Sequence, residues 1–256
     1  MSKDVQNCCS ILKKLKTAVL IPTYNNASTL NSVISSVLNY CSDVIVVNDG
    51  STDNTESIIA EYKGRIHAIS YSPNKGKGFA LRAGFAYAAK NSFDNVITID
   101  SDGQHSAADI LLFAETAQEN PGALIIGSRK LVQENMGGKS TFANRFSNFW
   151  FLVQTWKKLP DTQSGFRLYP ISTMRGMRFI TRRYETELEI LVLSAWRRIR
   201  LIPIPISVYY APPDEKVSHF RPFHDFFRIS VLNTVLVIFS IVYGYPSMLI
   251  RKIFQK

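Results

Sequence analysis

Short apolar runs alternate along this chain with longer segments of helical period, and no other feature constrains the fold as strongly. The runs are bounded by Gly, Asn and Pro and predict strands at residues 17–22, 43–49, 65–71, 95–100 and 123–127. Helical period predicts helices at residues 29–38, 55–62, 78–90, 107–119, 143–158 and 184–197. A last strand-like run, LIPIPISVYY, begins at Leu201. This alternation predicts an α/β fold with a mostly parallel central sheet flanked by helices.

The charge of the chain is strongly positive and unevenly distributed. There are 30 Lys and Arg against 20 Asp and Glu, a net charge of +10, which suits nucleic acid, an anionic membrane or phosphate-rich small molecules as partners. Arginine is concentrated in residues 175–228, directly before the most apolar part of the chain, which favours a membrane-facing collar over a solvated helix face. No nucleic-acid-binding motif is present, so nucleic acid is not an expected partner.

The apolar segment at residues 229–250 contains no charged side chain and is long enough to span a membrane. Pro246 is expected to break the helix near its end, and the cationic tail RKIFQK argues against crossing. We therefore predict an interfacial or shallowly inserted helix at the cytoplasmic face of a membrane. A full span and a buried core helix are the alternatives.

These features divide the chain into three parts. Residues 1–16 form a frayed or amphipathic leader, residues 17–227 the α/β domain, and residues 228–256 a membrane-associated segment. Cys8, Cys9 and Cys41 show no paired spacing, which indicates reduced thiols in a cytoplasmic protein. An exposed apolar tail could also pair two copies of the chain as a homo-oligomer.

Acidic residues follow two of the predicted strands. Asp100 and Asp102 stand two residues apart at a strand end, with Gln104 close enough to add an oxygen ligand. Ligands bind at the carboxyl ends of parallel strands, and oxygen ligands suit Mg²⁺ or Mn²⁺. The pattern therefore predicts a divalent cation site, although an Asp-x-Asp triplet by itself is often a solvated turn.

Two further motifs lie at strand ends. In NDGSTD, Asp49 is placed to bind a base or ribose, while Asp53 is expected to cap the next helix. In NKGKG, two glycines and two lysines lead into a helix and could bind an anion, without the spacing of a Walker loop. The first strand is followed by PTYNN rather than a Gly-x-Gly-x-x-Gly motif, which excludes a dinucleotide-binding oxidoreductase.

Six motifs in order carry a resemblance to a known family: PTYNN from Pro22, NDGSTD from Asn48, NKGKG from Asn74, DSDGQH from Asp100, GSR from Gly127 and DTQSGFR from Asp161. Together they resemble the family-two glycosyltransferases, and more narrowly the dolichyl- or polyprenyl-phosphate mannose and glucose synthases. The resemblance runs from about residue 17 to about residue 227. It implies a GT-A fold, an inverting mechanism, a UDP- or GDP-sugar donor and a divalent metal.

The resemblance also implies roles for particular residues. The positions that match its donor-binding motifs are Pro22, Tyr24, Asn25, Asp49, Lys77 and Asp100. Asp102 would hold the metal, assisted by Gln104. Asp161, Gln163 and Arg167 would border the transferred sugar and the acceptor, and Arg129 would bind an acceptor phosphate. Arg129 and Arg167 could instead be surface cations.

A catalytic base is expected in the segment YETELEIL, which resembles the family's Phe-Asp-Val-Glu-Leu-Leu stretch. Glu187 stands where Asp is usual in that stretch, and Glu189 where Glu is usual. A lipid phosphate acceptor needs no base because it is already ionised, and Glu187 would then organise the site. Glu185 and Glu189 could also simply pair with neighbouring arginines.

The loop at residues 217–225 resembles the basic loop that closes over the acceptor in lipid-phosphate glycosyltransferases. Ser218 and Arg221 are candidates for phosphate binding, and His219 is a candidate metal ligand or an ordinary packed or exposed histidine. The sequence therefore predicts transfer of a sugar to a membrane acceptor, in the first place a polyprenyl phosphate. A glycolipid, diacylglycerol or surface-glycan acceptor is the alternative, and a nucleotide-sugar-binding module without turnover is a second one.

Overall fold

A computed structural model describes residues 3–129, 138–209 and 222–253 of the chain. Within these residues, seven strands form one sheet: β1 Thr17–Thr23, β2 Val44–Asp49, β3 His67–Tyr71, β4 Asn95–Thr98, β5 Leu124–Arg129, β6 Arg167–Tyr169 and β7 Leu201–Ile206. Their order is β3-β2-β1-β4-β6-β5-β7. β6 runs antiparallel to both of its neighbours, and the other pairs are parallel, so the predicted mostly parallel sheet is confirmed. Only β6, a three-residue strand, was not predicted.

Helices cover both faces of the sheet. They are α1 Lys3–Lys14, α2 Ala27–Leu38, α3 Thr55–Glu61, α4 Lys77–Lys90, α5 Ile110–Glu119, α6 Gly138–Thr155, α7 Glu185–Trp196, α8 Pro222–Phe239 and α9 Tyr245–Ile253. α1, α2, α3 and α5 contribute to the core on one face. α4, α6, α7 and α8 contribute to the core on the other face. The leader helix α1 is amphipathic, with Cys8, Ile11 and Leu12 buried and Lys13 and Lys14 exposed.

The sequence explains why the sheet is ordered as it is. Every residue of β1 and β2 is buried, as expected for central parallel strands covered on both faces. β7 lies at one edge of the sheet. Because Leu124 N donates to Arg200 O, every second residue of β7 counted from Arg200 forms its backbone hydrogen bonds with β5. The two prolines lie between these residues and face away from β5. Pro203 and Pro205 therefore remove two donors from the open edge, which discourages the addition of a further strand.

The C-terminal helical segment continues past Pro246, so the expectation that this proline breaks the helix was wrong. Between α8 and α9 the chain forms a π-helical turn, Ser240–Gly244, in which Tyr245 N donates to Ser240 O. Pro246 follows in the first turn of α9, where a missing backbone donor costs little. The stretch Phe227–Ile250 is long and apolar enough to cross a membrane.

One side of this helical segment packs on the α/β domain. Leu232 and Leu236 are buried against α6 and α7, and the amide of Gln154 donates to Asn233 Oδ1 at 2.9 Å. The outer side exposes large apolar side chains. These are Phe227, Val231, Ile238, Phe239, Ile241, Val242, Leu249 and Ile250.

Candidate active site

The motif residues meet at the carboxyl ends of β1, β2 and β4, the edge at which α/β sheets bind ligands. The loops after β1 and β2 are joined through Asn25, which has a positive φ of 51°. Its backbone N–H donates to Ser51 Oγ at 2.9 Å, and its side-chain oxygen accepts from Thr52 N at 2.7 Å. Pro22 is buried in β1 and Tyr24 is half-buried beside Asn25. These contacts fix the mouth of the predicted donor pocket.

Asp49 ends β2 and holds the NKGKG loop. It is buried, and its carboxylate accepts from Lys75 N and Gly76 N, each at 2.8 Å, and from Asn74 Nδ2 at 2.9 Å. The loop therefore folds around the carboxylate and leads directly into α4. In this structure Asp49 positions the loop, and a direct contact with a base or ribose stays a prediction.

Lys77, Asp100 and Glu187 form a group that we call the lysine cluster. The ammonium of Lys77 lies 2.7 Å from Asp100 Oδ1 and 3.2 Å from Glu187 Oε1. Burial raises the pKa of Asp100, but the adjacent ammonium outweighs that effect and holds the pKa below its usual value. The exposed fractions of the side chains are 17% for Lys77, 24% for Asp100 and 9% for Glu187, so the cluster stays accessible from the sheet edge.

Two glycines allow the lysine cluster to form. A Cβ at Gly78 would lie 1.9 Å from Thr186 Oγ1, so only glycine lets the first turn of α4 approach the first turn of α7. A Cβ at Gly165 would lie 2.6 Å from Asp100 Oδ2 and 2.8 Å from Lys77 Nζ. The glycines of NKGKG and DTQSGFR thus bring the three charged groups together.

Asp102 lies beside the cluster and turns the chain back on itself, with its Oδ1 accepting from Gln104 N at 3.0 Å. Burial, together with the negative charge of Asp100, raises the pKa of Asp102 to about 6. No group of three His, Cys, Asp or Glu able to hold a metal occurs among the described residues. Mg²⁺ usually takes one or two carboxylates and leaves other positions to substrate phosphates and water, so the oxygens of Asp102 and Gln104 fit such an ion.

Asp161, its partner Arg129 and the nearby Arg167 form a second group, which we call the arginine cluster, and the Asp161 carboxylate has no exposure. Arg129 donates to Asp161 through Nε at 2.6 Å, Nη2 at 3.0 Å and its backbone N at 3.2 Å. Asn144 Nδ2 and the backbone N–H groups of Gln163 and Ser164 complete six hydrogen bonds. Burial raises the pKa of Asp161, but these donors and the Arg129 charge bring it below its usual value.

Arg167 is also fully buried, in β6. Its guanidinium donates to three backbone carbonyls, those of Ser164, Glu187 and Thr162, at 2.7, 2.7 and 2.9 Å. Arg167 therefore ties the DTQSGFR loop to the start of α7. The structure gives Asp161 and Arg167 positioning roles, and contact of either with sugar or acceptor stays a prediction.

The remaining predicted residues are less constrained. Gln163 is exposed, with its backbone held by Asp161 and its side chain at the surface. Ser218, His219 and Arg221 lie outside the described residues. Glu189 accepts from Ile180 N and Thr181 N, so it binds backbone rather than arginine.

Sequence reasoning gave no role to His105, which lies between the two clusters. Burial lowers its pKa to about 4, with opposing charge effects from Asp100 and Asp161 and further lowering by Arg129 and Lys77. Its ring packs 5.3 Å from that of Phe166, between centroids. The only signal in the sequence was its place at the end of DSDGQH.

Comparison with known proteins bears on this site. The model of the family described as glycosyl transferase family 2 matches residues 18–183. The UDP-N-acetylglucosamine–dolichyl-phosphate N-acetylglucosaminyltransferase of Methanococcus voltae is 28% identical over 213 residues, covering 75% of this chain and 85% of that protein. The undecaprenyl-phosphate mannosyltransferase of Micrococcus luteus is 24% identical over 204 residues, covering 75% and 83%.

Solved structures agree on the fold. Glucosyl-3-phosphoglycerate synthase from Mycobacterium tuberculosis, crystallised with Mn²⁺, UDP and glucosyl-3-phosphoglycerate, matches with a TM-score of 0.67 at 19% identity. The match covers 92% of this chain and 83% of that one. Another crystal of the same enzyme contains Mg²⁺ and UDP. The predicted GT-A fold and the predicted family resemblance are both confirmed.

Proposed function

The chain belongs to glycosyl transferase family 2 and is related to the dolichyl- and polyprenyl-phosphate sugar transferases, and from that premise we propose its reaction. It moves a sugar, with inversion, from a UDP- or GDP-sugar to a polyprenyl phosphate at a membrane surface. The observation that carries the proposal is the lysine cluster, which pairs Lys77 with both Asp100 and Glu187 beside Asp102. Two relatives named for dolichyl and undecaprenyl phosphate support the acceptor class.

On the donor side of the site, Asp102 and Gln104 would hold a divalent cation, Mg²⁺ or Mn²⁺. When bound, such an ion neutralises the charge that develops on the leaving nucleotide diphosphate. Lys77 contributes a fixed positive charge at the same edge and keeps Asp100 ionised. Asn25 and Asp49 hold the two loops that border the nucleotide, so the pocket is formed before the donor enters.

On the acceptor side, Glu187 organises the site rather than removing a proton. Its Oε1 is paired with Lys77, and a phosphate monoester is already ionised at neutral pH. Asp161 fixes the direction of Arg129, whose side chain is 17% exposed and suits an anionic head group. Arg167 acts through the loop that it holds.

The membrane location rests on α8 and α9. Their inner side is fixed to α6 and α7 by buried contacts, among them the Gln154–Asn233 hydrogen bond. Their outer side exposes large apolar residues that an interfacial layer would cover. We infer a peripheral or shallowly inserted enzyme at the cytoplasmic face, consisting of a leader, residues 17–227 as the catalytic domain and residues 228–256 as the membrane segment.

The test is release of nucleotide diphosphate from a panel of UDP- and GDP-sugars, with and without a short polyprenyl phosphate. Purified full-length chain in detergent is assayed with Mg²⁺, with Mn²⁺ and with a chelator. Asp102→Asn is the test variant, and Asp4→Asn, an exposed change on α1, is the matched control.

We expect release to depend on the lipid phosphate and the metal, and to be lost in Asp102→Asn but kept in Asp4→Asn. Metal-dependent donor hydrolysis that the lipid phosphate does not stimulate would move the acceptor to a glycolipid, diacylglycerol or surface glycan. Absence of binding to every donor would overturn the proposal.

A further inference from the structure

A second cavity lies outside the residues assigned above. It is a groove of about 520 Å³ between α4 and residues 171–179, which we call the α4 groove. Its floor is apolar: Phe93, Met177 and Phe179 are half-buried, packed on the core with one side and lining the groove with the other. Ala86 and Ala89, one helical turn apart on α4, are exposed and leave the groove open.

Three arginines line the same groove: Arg82, Arg175 and Arg178. Arg82 donates through Nη1 to Phe179 O at 2.8 Å, which fixes its guanidinium beside the apolar floor. Arg175 and Arg178 are exposed. In the part of the chain that the structure describes, no carboxylate lies within ion-pair distance of any of the three. The groove thus combines an apolar floor with positive charge that the described protein does not neutralise.

The groove adjoins the apolar C-terminal helices. Arg197 donates to the carbonyls of Arg175 and Gly176 at 3.4 and 3.1 Å, so it joins the groove wall to the end of α7. The preceding residue, Trp196, packs against Gly244 in the π-helical turn and accepts from Ser247 Oγ at 3.4 Å. The groove wall is therefore connected, through the end of α7, to the segment that carries the exposed apolar side chains.

We propose that the α4 groove binds an anionic phospholipid, with its phosphate on the arginines and part of an acyl chain on the apolar floor. A purely polar anion would leave the aromatic floor without a partner, and a neutral apolar ligand would leave the arginines unused. Arg82 lies five residues beyond Lys77, about 7.5 Å along the helix axis. None of the predicted donor-site residues lines the groove, so the groove is separate from the donor site and its occupancy does not depend on the proposed reaction.

The experiment measures lipid adducts on the purified full-length chain by native mass spectrometry. The probes are phosphatidylglycerol and phosphatidylcholine with identical acyl chains. Arg175→Gln with Arg178→Gln removes charge, and Ala86→Trp fills the groove without changing charge. Lys90→Gln, an exposed change at the end of the same helix and outside the groove lining, is the control, and thermal unfolding checks that all variants fold.

We expect phosphatidylglycerol to bind in preference to phosphatidylcholine. The double arginine variant should bind it about thirty-fold more weakly, since each arginine near an anionic head group contributes roughly five-fold. Ala86→Trp should weaken binding comparably, and Lys90→Gln should leave it unchanged. Equal binding of the two lipids would overturn the proposal. It would also be overturned if Ala86→Trp bound phosphatidylglycerol as tightly as the wild type, because any effect of the arginines would then arise on the open surface and not in the groove.

Discussion

The lysine cluster and the arginine cluster lie side by side at the sheet edge, yet they differ in how completely their charges are occupied. Asp161 accepts six hydrogen bonds and has no exposure. Arg167 donates to three carbonyls and also has no exposure. Asp100, by contrast, keeps 24% of its side chain exposed and has Lys77 as its close partner. A saturated buried group holds structure, whereas a partly exposed pair can exchange its partner for a ligand.

This difference assigns separate tasks to two sets of motif residues that the sequence alone treats alike. The arginine cluster fixes the DTQSGFR loop, Arg129 and the start of α7. The lysine cluster presents charge toward the strand ends where the donor is proposed to bind. Substitutions in the first cluster should therefore cost stability, and substitutions around the second should cost activity.

The largest effect is expected for Asp161→Asn. The amide cannot neutralise Arg129, and its NH₂ group would face backbone donors. Removing one partner of a buried charge pair typically costs about 3–5 kcal/mol in the free energy of unfolding, which urea titration measures. Asp102→Asn, at the more open site, removes a carboxylate whose pKa the fold raises, so it should not lower that free energy at pH 7. An Asp161→Asn variant as stable as the wild type would remove the distinction between the clusters.

Gly165→Ala should have the opposite signature. The added Cβ would meet the ends of two flexible side chains, Asp100 and Lys77, so the fold can adjust while the lysine cluster is displaced. A displacement of about 1 Å can cost roughly a hundred-fold in rate, and we expect kcat/KM to fall by about that factor. Circular dichroism should report an unchanged fold. Full activity in this variant would mean that the geometry of the cluster is unimportant to catalysis.

Much of this architecture follows from local patterns, while the contacts within the site do not. The apolar strands β1, β2 and β4 each end at an Asp or two residues before an Asn or Asp, so the hydrophobic period and the polar residues that follow it predict both the sheet and its functional edge. The strand β6 escaped prediction because it has three residues and carries Arg167. Two of the carbonyls that Arg167 binds lie within five residues of it, but the third, that of Glu187, comes 20 residues later and leaves no local signal.

The same reasoning explains which site residues were found and which roles were not. Asp49 stands at a strand end, as predicted, but the loop that saturates it comes about 25 residues later in the chain. Glu187 was a candidate either for the base or for a residue that organises the site, and its neighbour in the structure is Lys77, which lies on a different helix. Motif spacing therefore locates charged residues at the site, whereas burial and pairing decide what each one does.

A smaller effect is expected for Asn144→Ala, which removes one of the six donors to Asp161. A hydrogen bond to a charged group contributes about 1.5–3 kcal/mol, and five donors remain, so the loss in unfolding free energy should be near the lower value. Asn91→Ala, at an exposed helix end, is the matched control and should cost about 0.5 kcal/mol or less. In an Asp161→Asn background the cost of Asn144→Ala should shrink, and additive effects would contradict the network.

The smallest effect is the part of the pH dependence of stability that comes from Asp161. Because the folded state holds the pKa of Asp161 below its usual value, its ionisation stabilises the fold above about pH 4 and ceases to do so as pH falls through the folded pKa. The difference in unfolding free energy between wild type and Asp161→Asn should therefore be constant from pH 7 to pH 5. Below about pH 4 it should narrow, by at most about 1.4 kcal/mol per pH unit. Urea titrations of both proteins across this range measure it, and a difference that stayed constant to pH 2 would contradict the prediction, because it would mean that folding does not lower the pKa of Asp161.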